Sequence, residues 1–111
     1  MRASLRELLQ AAGYRVTEAS NGHQALSVLH RGPLPHVIVL DIEMPTMDGV
    51  DFRLQQRRHP DLAAVPVIIY SSAPHTAALA DALQASAYLR KSVDVQVILD
   101  TVREVIEAGR R

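Results

Sequence analysis

Leu5, Leu8, Leu9 and Ala12 recur at i, i+3, i+4 and i+7, the stripe of a helix with one buried face. Gly13 marks its end, and Tyr14-Arg15-Val16-Thr17-Glu18 alternates like a short strand. Asn21-Gly22-His23-Gln24 has the form of a capping box and opens a helix carrying Ala25, Leu26, Val28 and Leu29. Gly32-Pro33-Leu34-Pro35 breaks that helix and leads into an apolar run predicted as a strand over 36–41. Residues 50–58 carry a modest helical stripe of Val50, Phe52 and Leu54. Pro60 and Pro66 bracket a predicted loop, followed by a second apolar strand, Val67-Ile68-Ile69-Tyr70. Residues 75–85 read as an alanine-rich helix and Ala87-Tyr88-Leu89 as a short strand. Val95, Ile98, Leu99, Val102 and Ile106 give the cleanest helical stripe in the chain.

Strands alternating with helices, two of them continuously apolar, imply an α/β fold whose parallel sheet is covered on both faces. The 111 residues suit one domain that buries roughly two thirds of its unfolded surface. No repeat, low-complexity tract or linker interrupts it. The chain has no cysteine, which excludes disulfides, thiolate metal sites and a thiol nucleophile. Formal net charge is zero and no basic block exists, against a nucleic-acid surface. No run is long enough to span a bilayer, and Met1-Arg2-Ala3-Ser4 lacks a signal-peptide core, so a cytoplasmic domain without membrane contact is expected.

Of the 12 basic residues, 11 are arginine, leaving Lys91 as the one lysine. Arginine bias alone would produce this, but a compact ammonium does not substitute for a planar guanidinium. In open parallel sheets the ligand crevice lies beyond the carboxyl ends of the strands. Asp41, Ser71 and Lys91 all fall there, one after each of three successive strands. A carboxylate can attack a phosphoryl group to give an acyl phosphate, and the charge on that group needs cations and donors nearby. Lys91 offers a cation and Ser71 a hydroxyl. Plainer roles exist for each: Asp41 and Ser71 as caps of the turns they begin, Tyr88 as core, Glu43 as a solvated acid. The five histidines lack metal-ligand spacing and read as surface residues.

Asp41 at a strand end, the loop Met44-Pro45-Thr46-Met47-Asp48-Gly49, Ser71 after Pro66-Val67-Ile68-Ile69-Tyr70, and Tyr88-Leu89-Arg90-Lys91 together resemble the receiver domain of two-component response regulators. The likeness runs the length of the chain and includes Gly13-Tyr14 and Ala19-Ser20-Asn21-Gly22. It implies a flavodoxin-like, doubly wound sheet of strand order 2-1-3-4-5. It also implies phosphorelay: Asp41 accepting a phosphoryl group from a histidine kinase, Ser71 and Tyr88 acting as switch residues, and Lys91 pairing with the phosphate. Magnesium would sit on Asp41 and the backbone carbonyl of Glu43. The output would be a protein-interaction face built from the fourth helix, fifth strand and fifth helix, serving an effector domain or a separate protein. Such a module is not an enzyme.

Three features depart from the family pattern. The first, central strand and its acidic pair are absent, so magnesium should bind weakly or not at all. The strands flanking that gap, at 14–18 and 36–41, would present unpaired edges, to be met by pairing with each other, by a segment of another copy, or by a longer protein around this chain, with material outside the chain expected. Ser92 stands where proline usually follows the lysine, and Gln84 where glycine commonly closes the fourth helix. A receiver-like module that binds partners without phosphorylation is the alternative. An aspartyl-phosphate phosphatase would want aspartate where Glu43 stands, and a flavodoxin would want a phosphate loop.

Overall fold

The computed structural model describes residues 4–42 and 49–110. Its elements are α1 (Leu5–Ala11), α2 (Gly22–Arg31), β1 (Ile38–Asp41), α3 (Gly49–Arg57), α4 (Pro60–Ala63), β2 (Val67–Ser71), α5 (Thr76–Ala82), β3 (Ala87–Arg90) and α6 (Val95–Gly109). The first two helices start where the capping residues put them. Ser4 Oγ accepts the Glu7 N–H at 3.1 Å and donates to Glu7 Oε1 at 3.2 Å, closing a small ring of hydrogen bonds over otherwise unpaired donors. Asn21 Oδ1 accepts from the Gln24 N–H at 2.9 Å, and the Gln24 side chain in turn accepts from Ser20 N–H.

The three strands form one parallel sheet in the order β1-β2-β3, with Asp41 beside Tyr70 and Ser71 beside Arg90. Because side chains alternate across a strand, the sheet feeds two cores. Leu40, Val67 and Ile69 join Leu29, Phe52, Leu62, Ala80 and Leu83 under α2 to α5. Ile68 and Leu89 join Leu9, Ile98, Val102 and Val105 under α1 and α6. Val67, Ile68 and Ile69 are fully buried, as a strand covered on both faces requires. That burial explains why their run is continuously apolar rather than alternating.

Three expectations need correction. Residues 14–18 are not a strand, although Tyr14 and Val16 do pack on the α1–α6 core. Alternation supplies a strand's side-chain faces, but its backbone is stabilised only by a partner, and no described residue pairs with it. The stretch between Pro60 and Pro66 is not simply a loop: Pro60 opens the short helix α4, its fixed φ and missing N–H suiting a first turn. The helix expected over 75–85 is shorter, Thr76–Ala82. The one cis bond among the described residues is Gly32–Pro33, so Lys91–Ser92 is trans.

Among the described residues no strand pairs with β1 on the side away from β2. Ile38 N–H donates to Pro66 O at 2.9 Å and Ile42 N–H to Tyr70 O at 3.2 Å, so the backbone groups of the alternate residues Val37 and Val39 face the other way. Among the described residues no backbone hydrogen bond meets them there.

Candidate functional site

The apolar run of β1 ends at the sheet rim, and there the chain delivers Asp41. β2 delivers Ser71 to the same rim, and the turn after β3 delivers Lys91. The backbone ties the last two together, since Lys91 N–H donates to Ser71 O at 3.0 Å. The Lys91 ammonium then reaches across β2 to Asp41, with Nζ 3.0 Å from Oδ2. These side chains lie 50 residues apart in sequence. The pair is half-open to water, its side chains 29% and 46% exposed, so its net contribution to stability is at most about 1 kcal/mol. Its importance is geometric: it places a cation against a carboxylate that can act as a nucleophile.

Ser71 is fully buried, and its Oγ accepts the Ala73 N–H at 3.0 Å. Three residues on from Ala73 the fully buried Thr76 begins α5, and its hydroxyl donates to Ala73 O. The Ala73 backbone is thus gripped from both sides. Tyr88 lies beside Ile69 in register, on the sheet face that also carries Ser71. It is 46% exposed, which rules out a plain core role. Glu43 and the Met44 to Asp48 loop lie outside the described residues. Gly49, which ends that loop, starts α3 directly against the end of β1. A Cβ there would stand 2.7 Å from Ile42 Cα and 3.2 Å from Asp41 O. Glycine is required by that approach.

Sequence reasoning missed Tyr70. Its ring lies 5.5 Å from Lys91 Nζ, within cation–π range, and its strand position beside Asp41 places it beneath the reaching lysine. The available signal was an aromatic residue immediately before Ser71. All five histidines are exposed, as expected. Magnesium wants about six oxygen ligands, several of them water. Among the described residues no group of three or more acidic, histidine or cysteine side chains converges to hold a metal.

A rim of aspartate, serine and lysine on a three-stranded parallel sheet is the arrangement the sequence resemblance implies, and the family itself is shown by the model of the response regulator receiver domain, which matches residues 1–103. The chain belongs to that family. Among curated relatives, PilH of Pseudomonas aeruginosa is 30% identical over 104 residues, covering 92% of this chain and 85% of PilH. The sensor histidine kinase CheAY of Helicobacter pylori is 38% identical over 72 residues, 64% of this chain but 9% of CheAY. The chain likewise spans 34% of the rice response regulator ORR7 and 54% of ORR3, so it corresponds to a part of several relatives. Among solved structures, the receiver domain of a histidine kinase from Syntrophus aciditrophicus superposes with a TM-score of 0.84 at 27% identity, covering 96% of this chain and 82% of that one. TrrA of Thermotoga maritima, solved in complex with Mg2+ and BeF, gives 0.79 at 27% identity, covering 91% and 85%. This receiver therefore has the CheY-like α/β fold and is a module of two-component signalling with a general role in phosphorelay. Among the described residues, no helix is long and apolar enough to cross a membrane.

Proposed function

We propose that this receiver accepts a phosphoryl group on Asp41 from the phosphohistidine of a sensor kinase. A carboxylate oxygen of Asp41 attacks phosphorus, the P–N bond breaks, and the imidazole leaves with the bonding pair and takes up a proton. The product is an acyl phosphate. The observation that carries this reading is the reach of the chain's one lysine to within 3.0 Å of the Asp41 carboxylate. In that position Lys91 offsets the charge of the incoming group. Ser71 exchanges its hydrogen bond from Ala73 N–H for one to the phosphoryl oxygens, which loosens the turn leading into α5. Tyr88 then reorients on the same sheet face. The output surface is the face of α5, β3 and α6, where Tyr88, Val95 and Val97 are exposed and an effector domain or separate protein docks. The relatives support this in general terms: CheAY is a sensor histidine kinase and DctD of Pseudomonas aeruginosa a transcriptional regulatory protein.

A second reading, partner binding without phosphorylation, draws on the thin donor set for magnesium among the described residues. One experiment separates the two. Treatment with a small phosphodonor followed by peptide mass mapping should place the label on Asp41. Label persisting in Asp41→Ala would overturn the assignment, and no uptake by the wild-type chain would favour the second reading.

A further inference from the structure

The core beneath α3 holds two polar side chains that phosphoryl chemistry does not use. Arg53 is 6% exposed and Gln56 fully buried, and both sit where the helical stripe would suit an apolar residue. Their hydrogen bonds run to the ends of other helices. Arg53 Nε donates to Leu83 O at 3.0 Å and Nη2 to Gln84 O at 3.0 Å, the carbonyls that close α5. Arg53 Nη1 donates to Gln56 Oε1 at 2.7 Å. Gln56 Nε2 donates to Leu62 O at 2.8 Å and Val65 O at 3.1 Å, around the end of α4. Among the described residues no buried side-chain nitrogen or oxygen lacks a partner. Burial, with Arg57 nearby, lowers the Arg53 pKa, so its charge is held there against a desolvation cost.

Gln84 shows what that cost maintains. It has φ +53°, a left-handed conformation that glycine adopts freely and a β-carbon disfavours. The clasp offsets this strain, with Arg57 Nη2 also donating to Gln84 Oε1 at 2.7 Å. The two ends of α5 are therefore held differently. The C-terminal end is fastened by a guanidinium fork to α3, whose own start is jammed against β1 at Gly49. The N-terminal end is held through the Ser71 and Thr76 hydroxyls on Ala73.

We propose that Arg53 is a positioning residue that anchors the C-terminal end of α5, so that this helix yields at its Ser71 end and stays fixed at Gln84. The drive from Ser71 rests on the proposed phosphoryl chemistry; the anchor does not.

Residue-resolved amide hydrogen exchange on the full chain tests it in the resting protein. The reporters are the N–H groups of Leu83, Gln84 and Ala85, which donate to Leu79, Asp81 and Ala80 carbonyls, compared with Ala73. In wild type Ala73 should exchange faster than all three. Arg53→Lys keeps the charge but loses the fork, and Arg53→Leu with Gln84→Gly removes the clasp while relieving the backbone strain. In each, the three reporters should speed up about tenfold or more relative to the strand amides of Ile68 and Ile69. Unchanged reporters in either folded variant would overturn the anchor, as would wild-type reporters exchanging faster than Ala73. After phosphodonor treatment, wild-type amide shifts should concentrate at residues 72–76 and reach 83–86 only in the variants. If Asp41 takes up no phosphoryl group the proposed function fails, while the resting exchange pattern still decides the anchor.

Discussion

Gly49→Ala tests how closely the packing of α3 controls the site. A Cβ at this position would lie 2.7 Å from Ile42 Cα, and ordinary contact begins near 3.4 Å, so the two backbones must part by 3.4 − 2.7 = 0.7 Å. The nearby Ile42 Cδ1, also at 2.7 Å, can rotate away; the Cα cannot. Overpacking of this kind costs about 1–3 kcal/mol. Alanine's better helix propensity returns at most about 1 kcal/mol, and less at a first helical position. A net destabilisation of about 1–2 kcal/mol is expected. The strain falls on the residue after Asp41, and reactive groups need placing to within about 0.5 Å. A shift of this size should lower the rate of phosphoryl uptake by about tenfold or more. Urea unfolding measures the first effect and time-resolved phosphodonor labelling the second. Gly13→Ala is the control: no atom lies within 4 Å of its Cβ, but its φ is +98°, so it should lose stability through backbone strain without changing the labelling rate per folded molecule. A Gly49→Ala chain with unchanged midpoint and unchanged labelling would refute the steric argument.

Three further outcomes are expected. Asp41→Asn should cost no more than about 1 kcal/mol in urea, because its ion pair with Lys91 is half-exposed, yet should abolish labelling; a loss of several kcal/mol would mean the pair is structural. Lys91→Arg should respond to phosphorylation less well than wild type, since a planar fork does not reproduce a compact ammonium 3.0 Å from Asp41 Oδ2, and equal phosphorylation-induced shifts at residues 72–76 would show that any cation suffices. The side of β1 away from β2 should drive concentration-dependent association in light scattering. Val39→Pro, which removes an N–H facing away from β2, should suppress that association with the β1–β2 ladder intact, whereas a wild-type chain that stays monomeric and melts cooperatively at every concentration would sink this reading.

What the sequence determined by itself is what depends on neighbours along the chain. The continuous runs Val37 to Leu40 and Val67 to Tyr70 could satisfy their side chains only between two apolar layers, and they lie there. Ser4 and Asn21 cap helices because their hydroxyl and amide oxygens reach N–H groups three residues on. Asp41, Ser71 and Lys91 were legible as one rim because parallel strands all end on the same side. Tertiary structure decided whatever needed a distant partner. Tyr14 to Glu18 alternate correctly and still form no strand, since β structure exists in pairs. Arg53 and Gln56 fall outside the stripe of Val50, Phe52 and Leu54 seen in the sequence, and no local pattern reveals that the carbonyls of Leu83, Gln84, Leu62 and Val65 wait to accept their hydrogen bonds. Gln84 sits where the family pattern wants glycine, and the conformation expected of that glycine is present without it. A side chain 31 residues away in sequence helps hold the backbone there, an interaction that exists only once α3 and α5 have packed together.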